Sequence, residues 1–404
     1  MSTVRRQNEK AKTAIVALKQ ENGNDVCADC CKQDPSFTCL KKGLFLCQNC
    51  AQVHTSFGAT HSRTKSIDLG NWNEETLQFM EEHGNAKGNA VWAKNVPLCY
   101  RRPKPSDAHV LREQWIRAKY ERKEFIDGAP EPSYLTGSLR GYLRKKGKED
   151  NSWNLRLFVL SAADNSLAYY IRDQDREPKK DLKITEINVT FAEERTNKEN
   201  SLQITYVTKG RTRNYFVYSE NGQEVVEWYM AIRKAKLDLL GYNESDVDQE
   251  KLEKELTRDF TMQGYLSKRG PRDEPWRKRW FSLDVRRLLY FEQPMDAVAK
   301  GELIIGSHTE GFALQEGVKS GKHQDEDYCF TLTTPKREFV MMANTENERR
   351  MWMDCLSKVI SQPMTDEDKE EMKITHKAVK DSKSSFSSGL RRLSMSRDHD
   401  DDSP

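Results

Sequence analysis

The 404-residue sequence lacks any apolar run long enough to cross a bilayer. Its first ten residues are polar, carry Arg5, Arg6 and Lys10, and have no apolar segment of the kind that directs secretion. The expectation is a cytoplasmic protein. Net charge is also scarce: a formal +3 over the whole chain excludes a uniformly basic nucleic-acid surface, so any basic contact face must be local and balanced by acid elsewhere. Cysteine is sparse outside one segment. Six of the nine cysteines fall between Cys27 and Cys50, while Cys99, Cys329 and Cys355 are scattered and read as ordinary buried thiols. In a reducing compartment such a cluster holds metal more often than disulfides. With 36% apolar and 32% charged residues the chain is polar but globular, and its length allows two to four domains.

Within the cluster, Cys27-x2-Cys30 and Cys47-x2-Cys50 are separated by sixteen residues, within the spacing of a tetrahedral four-cysteine zinc site. Each turn aims two thiolates at one point. Four protein ligands leave no position for water, so this zinc would hold the fold and do no chemistry. Cys31 and Cys39 are spare and read as packing residues. Two unrelated pairs of core cysteines would be the bland alternative. A DNA-binding finger is a competing class, but it needs a basic recognition helix. The stretch after Cys50, AQVHTSFGATHSRTKSIDLGNW, has no Lys or Arg before Arg63.

A first segment, 10–126, ends in HVLREQWIRAKYERKEFI, where Leu111, Trp115, Ala118, Arg122 and Phe125 recur at helical spacing. DGAPEPS then reads as a linker. Beyond it lies an internal repeat. GYLRKKG at 141–147 returns as GYLSKRG at 264–270, and LRLFVL at 155–160 as KRWFSL at 278–283, both offset by 123; Trp228 returns as Trp352, offset by 124. Each unit, 136–240 and 260–362, is a series of short strands closed by one amphipathic helix, which implies a small β-barrel capped by that helix. NESDVDQEKLEKELTR is a charged, briefly helical connector. The tail, 363–404, is rich in Ser, Lys and Asp and reads as disordered.

CADC, DPSF, KKGLFLCQNCAQVHTSFG, TKSIDLGNW and FMEEHGN together resemble the zinc-finger domain of Arf GTPase-activating (ArfGAP) proteins. The domain order resembles the ArfGAP proteins with dual pleckstrin-homology (PH) domains, the centaurin-alpha type, over about residues 10–362. The resemblance implies a multidomain α+β protein: a zinc-finger ArfGAP domain, then two PH-type barrels, each with a C-terminal helix. It further implies one zinc, an Arf-family small GTPase as partner, and no reaction of the chain's own. Such modules insert an arginine that neutralises charge on the transferred phosphoryl group. The family places this finger directly after VH, where this chain has Val53-His54 followed by Thr55. Phe37 stands where the family has Trp, and Ala51-Gln52 where it has Ser-Gly. Arg63 is a candidate substitute.

PH domains of this type grip phosphoinositide lipids or inositol polyphosphates between the first two strands. The matching residues are Lys145, Arg156 and Tyr169 in the first barrel, with Lys146 and Lys148 nearby and Asn154 where the fuller pattern is basic. In the second they are Lys268, Arg277, Arg279 and Tyr290, with Arg269, Arg272 and Lys278 nearby. The second is therefore expected to dominate binding of phosphatidylinositol 3,4,5-trisphosphate, and recruitment to the plasma membrane is expected. RRLS in the tail makes Ser394 a candidate phosphorylation site. The alternative is a non-catalytic membrane adaptor that uses the same lipid sites.

Overall fold

The computed structural model describes residues 3–21, 23–148, 152–242, 248–270, 275–318 and 327–395, with backbone alone at 3–7 and 382–395. Arg272 lies outside the described residues, as do the side chains of Arg5, Arg6 and Ser394.

Helix α1 (Thr3–Leu18) opens the first module and lays Ala11, Ile15 and Leu18 against Phe45, Ile67, Trp72 and Met80. Strands β1 (Phe37–Cys39), β2 (Leu44–Leu46) and β3 (Thr64–Ser66) form an antiparallel sheet in the order β2-β1-β3. Helix α2 (Gln48–Ser56) leaves directly from Cys47. Helices α3 (Glu74–Glu82), α4 (Asn85–Trp92) and α5 (His109–Tyr120) follow. The helix expected over 109–126 thus stops at Tyr120. Lys123 adopts a left-handed backbone (φ 56°), and the Glu124 N–H reaches back to the Ala118 carbonyl at 2.9 Å. This reversal carries Phe125 onto Trp115, with ring centroids 5.1 Å apart, so the apolar positions stay in the core without a continuous helix.

The first barrel comprises β4 (Ser138–Lys146), β5 (Trp153–Ser161), β6 (Ser166–Tyr170), β7 (Lys180–Lys183) and β8 (Ile187–Phe191), then the one-turn helix α6 (Glu193–Thr196), β9 (Ser201–Thr208) and β10 (Arg211–Tyr218). Helix α7 (Gly222–Leu240) closes it. Asn221 caps its first turn, accepting from the Gln223 N–H, and Gly241 (φ 65°) ends it. The connector forms α8 (Gln249–Leu256), which buries Leu252 and Leu256. The second barrel repeats the plan with β11 (Met262–Lys268), β12 (Arg277–Asp284), β13 (Arg287–Phe291), β14 (Gly301–Ile304), β15 (Ala313–Glu316), β16 (Cys329–Thr333), β17 (Glu338–Met342) and α9 (Glu346–Ser361). The strand orders, β7-β6-β5-β4-β10-β9-β8 and β14-β13-β12-β11-β17-β16-β15, match position for position. The repeated tryptophans do the same job in each: Trp228 faces Phe158 and Trp352 faces Phe281, at centroid distances of 6.1 and 6.2 Å.

The tail departs from expectation. Residues after 363 read as disordered, yet α10 (Asp366–Met395) is a helix whose first half lies across both barrels. Asp368 pairs with Arg286 at 3.2 Å, Glu371 pairs with Arg287, and Thr375 is buried. Ile374 and Ala378 sit on Gly210, at the tip of the β9–β10 turn, where a Cβ would lie 2.9 Å from the Ile374 methyl. Composition misses this because the helix is held by specific ion pairs to two buried arginines and a few small contacts, not by a run of large apolar groups. Two of the scattered cysteines, Cys99 and Cys329, are buried as expected, but Cys355 is only half-buried.

Candidate functional site

The four cluster cysteines converge. The Sγ atoms of Cys27, Cys30, Cys47 and Cys50 all lie within 4.8 Å of one another, all four residues are buried, and none is in a disulfide. Sulfurs about 2.3 Å from one tetrahedral zinc would stand about 3.8 Å apart, so the donor set fits that ion. Hydrogen bonds from the neighbouring thiols pull the Cys47 thiol far below its ordinary value. Zinc, when bound, would supply only charge and geometry here, because no open ligand position remains. Cys39, expected to be a packing residue, is buried in β1 with its Sγ 3.2 Å from the Ser62 Oγ. Cys31 corrects the same expectation. It is exposed and sits at φ 56°, because the first CxxC turn reverses the chain there.

A buried polar network, with no signature in the sequence, braces this knuckle. The Asp29 carboxylate accepts from His54 Nε2 at 3.0 Å, Lys119 Nζ at 2.9 Å and the Tyr120 hydroxyl at 2.8 Å. Burial alone would raise the Asp29 carboxyl; Lys119 and His54 outweigh it and hold it well below the usual carboxylate range. The other ring nitrogen of His54 lies 3.0 Å from the Ser62 Oγ. The histidine before Thr55 therefore ties α2 to the four-cysteine knuckle and, through Asp29, to α5.

Thr55 follows on the last turn of α2 and is exposed. Its hydroxyl donates to the Ala51 carbonyl at 2.8 Å and meets the Thr64 hydroxyl at 2.9 Å. Arg63 precedes Thr64 at the edge of β3. Side chains alternate along a strand, so with Thr64 turned toward α2, Arg63 and Lys65 point to the opposite face. Lys65 does so visibly, its Nζ 4.4 Å from the Trp72 ring centroid. Another guanidinium lies against the end of α2, that of Arg117, 5.3 Å from the Phe57 ring centroid. It is held between Glu113 and Glu121 at 2.9 Å each.

The barrels gather their basic residues by strand register. Lys268 stands directly opposite Arg277, and Phe281 opposite Tyr290, so Lys268, Arg277, Arg279 and Tyr290 share one face. Gly301, opposite Tyr290, has no side chain, and a Cβ there would overlap the tyrosine ring. Like charges directly opposed across a ladder repel, which an anion would relieve. Lys278 instead faces the other side, over Tyr265 at 4.3 Å, and Arg269 is largely buried.

In the first barrel Lys145 faces Asn154, whose amide is taken by the Ser152 hydroxyl at 2.8 Å. Lys145 lies between two rings, 4.0 Å from the Tyr215 centroid and 5.1 Å from that of Tyr169. A cavity of about 370 Å³ opens here, and Lys179 and Arg213 join the expected cations around it. Neither belongs to the β4–β5 motif, and only folding brings them in. Burial, then repulsion from Arg156 and Lys146, pulls the Lys145 ammonium down to about 8. A phosphate ligand needs the charged form, so the affinity of this pocket should fall as pH rises from 7 to 9. Calorimetry with a soluble inositol polyphosphate on an Arg279→Ala chain would show it, and Lys145→Arg should flatten the dependence.

A four-cysteine knuckle followed by two helix-capped barrels with basic pockets defines a zinc-finger protein with tandem PH domains. The ArfGap family model, described as a GTPase activating protein for Arf, matches residues 12–129, and the PH model matches 138–237 and 260–361. The chain is 38% identical over 365 residues to human (Homo sapiens) Arf-GAP with dual PH domain-containing protein 2, covering 89% of this chain and 95% of that protein. The rat (Rattus norvegicus) protein of that name is 38% identical over 363 residues, 88% and 96% of the two chains. Mouse (Mus musculus) stromal membrane-associated protein 1 is 36% identical over 120 residues, 30% of this chain and 27% of that protein. The chain belongs to the family of ArfGAP proteins with dual PH domains.

Proposed function

We propose that this chain is a phosphoinositide-recruited regulator of Arf-family GTPases whose GTPase-activating step is lost or weak. The observation that carries it is Thr55: at the exposed end of α2 a hydroxyl, tied to Ala51 and Thr64, stands where the family delivers a guanidinium. A threonine can neither carry charge nor reach a phosphoryl group. Among the described residues no helix is long and apolar enough to cross a membrane. Recruitment to the plasma membrane rests on the two basic pockets, which act together through their effective concentration. Single-turnover GTP hydrolysis by a panel of Arf proteins on lipid vesicles tests the catalytic half. The adaptor reading gains from the same threonine and differs in one respect: it requires no Arf binding at all.

The lipid half has its own test. Arg279→Ala should cost about 1.5–3 kcal/mol of head-group binding, the worth of a charge-assisted hydrogen bond. Arg156→Ala should cost less, because the first pocket pairs Lys145 with the neutral Asn154 where the second pairs Lys268 with Arg277. Co-sedimentation with vesicles carrying phosphatidylinositol 3,4,5-trisphosphate compares them. Equal losses, or none, would overturn this ranking of the barrels.

A further inference from the structure

The cavity beside Lys145 is not bounded by the first barrel alone. Met295, Ala297 and Val298, from the β13–β14 connection of the second barrel, form part of its wall. Backbone contacts pin them there: the Asn214 N–H donates to the Ala297 carbonyl at 2.9 Å, and Arg213 and Val298 form an antiparallel bridge. The start of the same connection is held by Arg195, which is buried. Its Nε donates to the Pro294 carbonyl at 2.7 Å, and its guanidinium lies 4.7 Å from the Phe291 ring centroid and 5.1 Å from that of Phe216. Away from the cavity, the wholly buried Glu302 carboxylate of β14 accepts from the Thr212 N–H at 3.1 Å and its hydroxyl at 2.6 Å. It also pairs with Arg211 at 3.3 Å and with Arg287. Strand β10 is therefore fixed by both barrels, and β10 carries Arg213 and Tyr215 into the pocket.

The charge around the cavity is one-sided. Lys145, Lys146, Lys148, Arg156, Lys179 and Arg213 line it, and among the described residues no carboxylate does. Arg213 and Lys179 pair with no carboxylate among the described residues. Cations gathered in a half-enclosed space repel one another, and a ligand bearing several phosphates removes that cost.

We propose that the second barrel is a working part of the first barrel's phosphate site. The segment 295–298 completes the wall and holds Arg213 at the cavity, making a two-barrel pocket for a multiply phosphorylated inositol ring, free or on a lipid. The class of ligand rests on the phosphoinositide reading above; the composite wall rests on the contacts between the barrels. By linkage, a ligand bound here and the joint between the barrels stabilise each other by the same factor.

The test uses the full chain carrying Arg279→Ala, which weakens the second pocket. One arm is calorimetry with soluble inositol 1,3,4,5-tetrakisphosphate. The other is co-sedimentation with phosphatidylcholine vesicles containing phosphatidylinositol 3,4,5-trisphosphate. Val298→Asp puts a carboxylate on the wall without changing any first-barrel residue, and Glu302→Gln loosens the joint at a distance from the cavity. Each should weaken tetrakisphosphate binding about ten-fold or more. Val298→Lys should tighten it several-fold, a gain that misfolding cannot produce. Losses in both arms mean the pocket reads the head group from either source, and a loss in the soluble arm alone means it takes the free inositol phosphate. Val298→Asp and Val298→Lys chains that both bind tetrakisphosphate like their parent would overturn the composite pocket. A parent that binds neither probe while wild type binds would place the working site in the second barrel alone. A wild type that binds neither would overturn the phosphoinositide reading itself.

Discussion

Thr55→Arg in the full chain should accelerate GTP hydrolysis by vesicle-bound Arf, by at most the ~10³–10⁵-fold that an arginine finger supplies in trans. The substitution is tolerable on structural grounds. Thr55 is exposed on the last turn of α2, and its two hydrogen bonds are local, to Ala51 and Thr64. Exposed changes of this kind usually alter stability by about 0.5 kcal/mol or less. The position itself is well defined, because His54 is locked between Asp29 and Ser62 and fixes the helix that presents residue 55. Recovery should be partial, since Phe37 and Gln52 also depart from the family. Affinity for GTP-loaded Arf should change much less than turnover, since a finger acts mainly in the transition state. Strong activation by the unmodified chain would refute the proposal, and Arg63→Ala would then ask whether that residue turns around from the far face of β3. Inactivity of both forms, with Arf bound by each, would define a docking module whose remaining geometry has drifted. Failure of both to bind Arf would leave the adaptor reading.

The features legible in the sequence were those with short-range signatures. Two CxxC turns announce a metal site because each pair is set by its own turn, and only the closure of the sixteen-residue loop had to be supplied by folding. The repeat announced two barrels because strand register recurs with the offset: Lys145 faces residue 154 just as Lys268 faces residue 277. What escaped depends on partners far away in sequence. Asp29 draws its three donors from residues 54, 119 and 120. Arg213 enters the first pocket from β10, and the wall opposite comes from the other barrel. The α10 helix looks too polar to fold until Arg286 and Arg287 are seen to receive Asp368 and Glu371. Cys31 departs from expectation because it directly follows Cys30 of the cluster, yet the turn that builds the site pushes it outward at φ 56°.

Stripping the metal should unfold the first module and weaken the first barrel with it, and affect the second barrel least. Structural zinc in small domains contributes about 10–16 kcal/mol of apparent binding free energy at pH 7, as much as a whole domain's net stability of about 5–15 kcal/mol. The first module has little to replace it: its sheet is three strands of three residues each. The damage should spread because one continuous apolar cluster runs from the zinc cysteines through Trp115 and Tyr134 to Leu143 and Trp228 of the first barrel. The two are also joined by Arg101, which donates to the Tyr229 hydroxyl at 3.1 Å, and by Arg233, which donates to the Cys99 carbonyl at 2.7 Å. The second barrel keeps a separate core around Leu266, Phe281 and Trp352. Elemental analysis of the purified chain should find one zinc, and Cys47→Ser should remove it. Melting in the presence of a strong chelator should then split into an early transition, covering the first module and first barrel, and a later one for the second barrel, lowered only by the loss of its contacts with the first, such as those of Glu302 with Thr212 and Arg211. Acid should favour release, because the thiols must lose their protons to bind. A metal-free chain whose first transition stays cooperative and unmoved would show that the four sulfurs merely pack together.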